Sequence, residues 1–539
     1  MKKISVRRGR FPALFGGFGF HNNEACLYRI INEEHFNQIL CKNYREMCPG
    51  FMRTFAGYDD WTKEAMDNFA AYYEKMQKWT DTPMYFAAAK GKLHFSRSEM
   101  ERYCEDVADN LEYLIREKNV RHIRYYCFSN EMSQAGWGEL MKDLPLFKEY
   151  HTMLYRAFQN RKLNIGLLAT DAAGYQNWNT VDWAIDNMSR ITEDYCVHVY
   201  ESEHDIYDLT FYDFFYQKCV GIVDKAIRND GKRVILGEFG ITKGGNLAYK
   251  RSVISDTCYY FDSGENAYSG LMYAEMIFAA VNAGIFALAL WSYCDYPDPY
   301  SCAYSNRPGY SMEWGKAERF ISGTTDVKYN KWGLTKWEDN EDYTARDFYW
   351  CIALICKYFK RNSKVLDIHA DDARIRACGI VNRDGSVSLG FVNRNRHKTE
   401  IELDAGELIK KDLRVYVYDP QHVPRNKFCD LQPYSEVIAG GAVIKYALPP
   451  ESVTILTTDY TQRAGCIYAD GVRVDNGILK WNAAADETHC YYRVFAGTHR
   501  DFAPGYENQI ASTIAEKLPG CAAELYYKVL SVDRSGNCF

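Results

Sequence analysis

The chain is predicted to be an α/β protein, a (β/α)8 barrel followed by a β-sandwich and a C-terminal fibronectin type III-like β-domain. Two observations carry that prediction: short apolar runs alternating with helical patterns from about residue 11 to 360, and a change to alternating periodicity after residue 364. The 539-residue length is a third, being too long for one hydrophobic core and suited to a barrel of ~250 residues or more with smaller companions. The domain division expected is 1–363, 364–462 and 463–539.

Eight apolar runs read as strands: Ala13–Phe20, Phe51–Phe55, Met84–Ala89, His122–Phe128, Asn164–Ala169, Tyr195–Tyr200, Arg233–Gly237 and Phe286–Trp291. Most are apolar throughout, as strands covered on both faces should be. After Ser98, Glu101 completes a capping box and Tyr103, Val107, Leu111 and Leu114 recur at helical spacing. A pattern from Arg346 to Phe359 supplies the eighth helix. The alternating segments Arg374–Val381, Ser386–Asn393, Leu413–Tyr418 and Ser452–Thr457 read as sandwich strands, with an Asp384-Gly385 turn. Beyond about residue 465, Gly477–Asn482 around Trp481, Tyr491–Ala496 and Leu525–Asp533 resemble a fibronectin type III module.

The hydrophobic share of 47% and charged share of 25% are those of a globular protein. A formal charge of −6 without a Lys/Arg-rich run excludes nucleic acid as an expected partner. No stretch approaches the ~18 uninterrupted apolar residues of a membrane span. Eighteen Cys lie scattered without a CxxC pair or zinc spacing, so most are expected to be free thiols. Arg7, Arg8 and Arg10 occupy the place of a signal peptide's apolar region, which points to the cytoplasm; a chain trimmed of a leader and secreted would read the same. Oligomeric state is left open.

In such a barrel the active site lies at the C-terminal ends of the strands. The fourth strand runs into Ser129-Asn130-Glu131, the sixth carries His198-Val199-Tyr200, the seventh runs into Gly237-Glu238-Phe239-Gly240, and the eighth ends in Trp291. The second carries Arg53 and the first leads into His21-Asn22-Asn23. Glycoside cleavage with retention needs two carboxyl groups flanking the anomeric carbon, ~5–5.5 Å apart, one to protonate the leaving oxygen and one to attack. Glu131 and Glu238 face each other across the barrel mouth, and Arg53 and the Tyr200 hydroxyl are placed to hold Glu238 anionic. His21 and Asn22 are candidates for the hydroxyls of the bound sugar. Trp137, Trp178, Tyr175, Tyr293, Tyr296 and Trp314 fall in the expected loops as candidate stacking platforms, each more often explained by loop packing. Asp171 and Asp295 are weaker candidates.

The ordered set Arg53, Asn130-Glu131, His198-x-Tyr200, Glu238 and Trp291 resembles clan A of the glycoside hydrolases over the barrel. The resemblance implies that Glu131 is the acid/base, Glu238 the nucleophile and Asn130 the partner of the sugar 2-hydroxyl. By the same resemblance Tyr200 bonds the nucleophile, His198 supports the acid/base and Trp291 floors the sugar subsite. The domain order is similar to that of family 39 of the clan, home of β-xylosidases and α-L-iduronidase. Ser129 and Met132 depart from the commoner Trp-Asn-Glu-Pro pattern. The expected function is a metal- and cofactor-independent retaining glycosidase acting on oligosaccharides or glycosides. A transglycosidase, or a barrel that binds carbohydrate without cleaving it, is the alternative. No GxSxG, HExxH or Walker motif points elsewhere.

Overall fold

The computed structural model describes residues 1–9, 13–22, 33–56, 62–77, 80–88, 96–131, 142–202, 208–242, 267–297, 329–330, 333–336, 344–461, 466–485 and 487–537. Eight parallel strands close a barrel: β1 (Gly17–His21), β2 (Phe51–Ala56), β3 (Met84–Ala88), β4 (Ile123–Cys127), β5 (Gly166–Ala173), β6 (Asp194–Ser202), β7 (Val234–Thr242) and β8 (Ala287–Leu290). Each expected run overlaps one of these strands. Closure is made by β8 on β1, with Ala287 opposite Gly17 and Leu290 opposite Phe20. Helices follow the strands: α1 (Cys41–Met47), α2 (Lys63–Gln77), α3 (Arg97–Arg116), α4 (Leu144–Asn160), α5 (Asn179–Asn187), α6 (Thr210–Asp230), α7 (Ser269–Asn282) and α8 (Tyr349–Tyr358).

The two faces of each strand divide the barrel's apolar residues. Phe51, Tyr85, Tyr125, Cys127, Leu168, Cys196, Ile235, Ala287 and Ala289 fill the interior, while their chain neighbours join the layer under the helices. The capping box of α3 is formed by Ser96 and Glu99, two residues before the pair expected from the sequence. Ser98-x-x-Glu101 has the same spacing, but Ser96 is the residue with extended backbone and its side chain accepts from the Glu99 amide. Helices α7 and α8 are apolar nearly all round because the barrel covers one side and the following β-domain the other, where Gly390 abuts the Phe278 ring.

The next strands are β9 (Ser363–Ala370), β10 (Ile375–Val381), β11 (Val387–Asn393), β12 (Thr399–Asp404), β13 (Leu413–Tyr418), β14 (Glu436–Ile438), β15 (Val443–Leu448) and β16 (Ser452–Thr457). Their order is β14-β13-β16-β11-β10-β9, then the N-terminal strand Lys2–Arg8, then β12-β15. The two arms face each other over Ile4, Val6, Leu366, Leu389, Phe391, Ile401, Leu403, Ile444 and Leu456, which makes a sandwich. Lys2–Arg8 differs from the expected division, which began the barrel at residue 1. It pairs antiparallel with β9 and parallel with β12, and its alternation buries Ile4 and Val6 in the sandwich.

The last strands are β17 (Ile467–Tyr468), β18 (Arg473–Asp475), β19 (Ile478–Lys480), β20 (His489–Gly497), β21 (Gln509–Thr513), β22 (Lys517–Pro519) and β23 (Tyr526–Asp533). They form a four-stranded and a three-stranded sheet around Leu479, Trp481, Tyr492, Val494 and Val529. The Trp481 and Tyr492 rings meet edge-on at 5.5 Å. This is consistent with the fibronectin-like module expected. A buried ion network joins the three parts: Asp430, from the sandwich, is paired with Lys42 of α1 at 2.9 Å and with Arg493 of β20 at 3.1 Å. Among the described residues fourteen cysteines are free, and no helix is long and apolar enough to cross a membrane.

Candidate active site

Strand parity decides which side chains reach the barrel mouth. On β1 His21 points inward, where its ring lies 4.1 Å from that of Trp291 and its Nδ1 accepts from Arg53 at 2.9 Å. Asn22, one residue on, belongs to the opposite face. Its amide exchanges hydrogen bonds with the Tyr72 hydroxyl on α2 and it is buried there, so it does not join the cluster.

Arg53 is the hub. Its guanidinium donates to Glu238 Oε2 at 2.8 Å, to Asp171 Oδ2 at 3.2 Å and to Asn130 Oδ1. It is fully buried and lies 5.3 Å from the centre of the Tyr85 ring and 5.9 Å from that of Trp291. Burial disfavours its charge, yet Glu238 and then Asp171 outweigh that and hold its pKa well above the ordinary value.

Two irregularities aim the carboxylates. On β5 Asp171 is an extra residue in the pairing with β6, with φ of 60°, and this bulge turns it into the barrel between Leu168 and the mouth. On β7 the register shifts so that His198 lies opposite Glu238, with Gly237 as the extra residue. Ile235 faces the interior and Leu236 and Phe239 the helices, so without the bulge Glu238 would face outward. Gly237 is required there: a Cβ would lie 2.3 Å from Cys196 Sγ and 3.1 Å from the Tyr85 ring. Glu131, just past β4, also has a positive φ, 50°.

The cluster is closely connected. His198 sits 2.8 Å from Asp171 through Nε2, 3.3 Å from Glu131 and 3.6 Å from Glu238 through Nδ1. Tyr200 donates its hydroxyl to Glu238 Oε1, and Tyr85 donates to Asp171 at 2.5 Å. Carboxylate oxygens of Glu131 and Glu238 lie within 4.8 Å of each other.

These contacts set the charges. Burial lowers the His198 pKa, but Asp171 and Glu238 more than reverse this and raise it to about 9, which favours the imidazolium; its Nδ1 is hydrogen-bonded to Glu131 and its Nε2 lies in ion-pair range of Asp171. Burial also favours a neutral Asp171, against which His198 and Arg53 hold its carboxyl well below the usual range. Glu238 is raised to about 7, chiefly by burial and further by Glu131, against Arg53, His198 and Tyr200. The Arg53 and Tyr200 contacts expected from the sequence are present, but desolvation inside the barrel outweighs them. Asp171–Cys196–His198 and Glu131–His198–Glu238 have the spacing of metal ligands. A resident guanidinium and imidazolium already supply positive charge at both, and their donor hydrogens point at the carboxylates a cation would need.

The structure thus brings together Glu131, Glu238, Asn130, Arg53, His198, Tyr200, His21 and Trp291. Trp137 and Trp314, and the side chain of Tyr296, lie outside the described residues. Trp178 is buried and donates to the His198 carbonyl at 3.1 Å, and Tyr175 bonds Glu201. Tyr293 stacks on Phe20 and donates to the Leu40 carbonyl, while Asp295 is paired with Arg346 at 2.7 Å beneath the barrel surface. Tyr85 was not read as a site residue, although its inward parity on β3 was a usable signal. Asp171 is more central than its place after the fifth run suggested, because β5 continues through the bulge to Ala173.

No family model matches the chain, and no curated protein matches it. Solved structures resemble it in fold. The catalytic domain of a GH30 xylanase C from Talaromyces cellulolyticus superposes with a TM-score of 0.55 at 13% identity, covering 84% of this chain and 99% of that one. A GH51 arabinofuranosidase from Xanthomonas axonopodis pv. citri gives 0.57 at 13%, covering 85% and 100%. A glucosidase from Croceicoccus marinus gives 0.54 at 11%, covering 85% and 98%. At these identities the likeness is one of architecture: the chain has the barrel-plus-β-domain fold that these glycoside hydrolases share.

Proposed function

We propose that the chain is a retaining glycoside hydrolase in which Glu238 is the nucleophile and Glu131 the acid/base. The observation that carries this reading is the pair of carboxyl groups from β4 and β7 at the barrel mouth, their oxygens within 4.8 Å. That approach suits the ~5–5.5 Å separation of a double displacement better than the ~6.5–9.5 Å of inversion. With Asp171 ionised and Arg53 and His198 cationic, one negative charge on the carboxyl pair leaves the site neutral. One carboxyl then attacks while the other still holds a proton.

In the first step the Glu238 carboxylate attacks the anomeric carbon as the bond to the leaving oxygen breaks, and Glu131 gives that oxygen its proton. In the second, Glu131 takes a proton from water, whose oxygen displaces Glu238 and restores the anomeric configuration. Arg53 and Tyr200 orient Glu238, and the His198 imidazolium orients Glu131. Asn130 is placed for a sugar hydroxyl, and Trp291 with His21 for the face of the ring. The narrower placement in family 39 rests on the order of these motifs and of the domains.

The test is hydrolysis of aryl β-xyloside, β-glucoside, β-galactoside and α-L-arabinofuranoside by wild type, Glu131→Ala and Glu238→Ala, with and without azide. Azide rescue of Glu238→Ala to a glycosyl azide of inverted configuration, with Glu131→Ala failing mainly on poor leaving groups, supports both roles. Transfer of the glycosyl group to sugar in preference to water identifies a transglycosidase. Wild-type turnover by both variants refutes the assignment.

A further inference from the structure

At the end of the barrel opposite the carboxyl pair is a cleft of about 1240 Å³. It is lined by Pro49 and Gly50 leading into β2, by Thr80 and Asp81 before β3, by the C-terminal end of α8, by the sandwich turn at 383–386, and by Arg534 and Ser535 after β23. All three parts of the molecule contribute. In a chain of net charge −6, ten Lys and Arg side chains line this cleft against five Asp and Glu.

Some of that charge is internally balanced, with Lys360 bonded to Asp459 at 2.5 Å and Arg361 to Asp81 at 2.8 Å. Arg8, Lys357, Arg383, Lys410, Lys411 and Arg534 line the cleft and make no ion pair among the described residues. Lys357 is the informative one. It is 7% exposed, near the end of α8, and its Nζ lies 3.8 Å from where a Cβ on Gly536 would be. Its stem is covered, and its ammonium, 5.9 Å from the centre of the Tyr358 ring and with no carboxylate in ion-pair range among the described residues, lines the cleft within reach of an anion bound there.

We propose that this cleft binds a small polyvalent oxyanion, a molecule carrying two or more phosphate, sulfate or carboxylate groups, with Lys357 at its inner end and Arg8, Lys411 and Arg534 nearer its rim. One charge would leave most of these cations unmatched, and their origin in separate domains requires a ligand long enough to span them. Bound there, the anion bridges the barrel, the sandwich and the C-terminal module, so binding raises the stability of the whole chain. The inference rests on this cleft alone and does not depend on the carboxyl pair being catalytic.

The experiment is calorimetric titration of the full chain, at low and high salt, with sodium tripolyphosphate and with trigalacturonate, alongside thermal unfolding in each. Wild type should bind at least one of them saturably, more weakly at high salt, with a rise in Tm. Tripolyphosphate alone would identify a phosphate ligand; trigalacturonate alone, an acidic sugar. The rim double variant Arg8→Glu with Lys411→Glu should weaken binding roughly tenfold or more. Lys357→Met, which keeps the apolar stem, should do the same if it folds. Turnover of any aryl glycoside should be unchanged in the rim variant. Binding of neither anion by wild type, or equal binding by the rim variant, overturns the proposal.

Discussion

Replacing Gly237 with alanine tests how the seventh strand delivers its carboxylate. The added Cβ would stand 2.3 Å from Cys196 Sγ, 3.1 Å from the Tyr85 ring and 3.2 Å from His198 Nε2. All three side chains are fully buried, so none yields freely. Overpacking of this kind costs about 1–3 kcal/mol. The bulge relaxes by moving Glu238, and a displacement of about 1 Å at a reacting group lowers turnover on the order of a hundredfold. Because the shortest contact is to sulfur, Cys196→Ala should relieve it, leaving contacts above 3 Å. The double variant is therefore expected to be more stable than the sum of the two single losses, by about 1 kcal/mol. Denaturant unfolding and turnover of the best aryl glycoside would be measured for wild type, both single variants and the double. A Gly237→Ala protein with wild-type stability and turnover would refute the reasoning, and so would strict additivity in the cycle.

Asp171→Asn leaves Arg53 and His198 short of a counter-charge and is expected to cost about 3 kcal/mol or more. The His198 pKa is raised to about 9, so its contribution to stability is full below its unfolded value near 6.5 and lost as pH rises through 9. The loss in Asp171→Asn should therefore be larger at pH 6 than at pH 10; equal losses would sink this account. Glu238 is raised to about 7, so its contribution is present below about 4.5 and disappears between there and pH 7, whereas the nucleophile must be ionised. Then kcat/KM should climb through about pH 7, and Tyr200→Phe should shift that limb to higher pH. An unmoved limb would show that the hydroxyl does not stabilise the carboxylate. Asp430→Ala strips the shared partner from buried Lys42 and Arg493 and should cost about 3–5 kcal/mol, with the C-terminal module becoming sensitive to protease; a wild-type Tm would contradict it.

The positions of the eight barrel strands were legible in the sequence because strands covered on both faces must be apolar along their length, which is a local property. Arg53, Glu131, His198, Tyr200, Glu238 and Trp291 were legible because a closed barrel gathers whatever stands at its strand ends. The runs from Phe51 and Met84 start where the structure has them, the run from Arg233 starts one residue early, and the change of period at 364 marks β9 closely.

Other features depended on pairing between distant segments. Asn22 lies next to His21 in the chain but on the opposite face of β1, where it meets Tyr72. Asp171 and Glu238 reach the interior only because each strand gains one residue relative to its neighbour, and a bulge is a property of two strands that neither encodes alone. Lys2–Arg8 alternates as any half-buried strand does, and only its pairing with β9 and β12 assigns it to the sandwich. The charge on Glu238 follows from desolvation as well as from its partners, and burial is fixed only when the barrel closes around it. Sequence by itself determined which residues can do chemistry and roughly where each strand presents them. Register, parity and burial, which arise from contacts between segments far apart in the chain, decided which of them meet and what charge they carry.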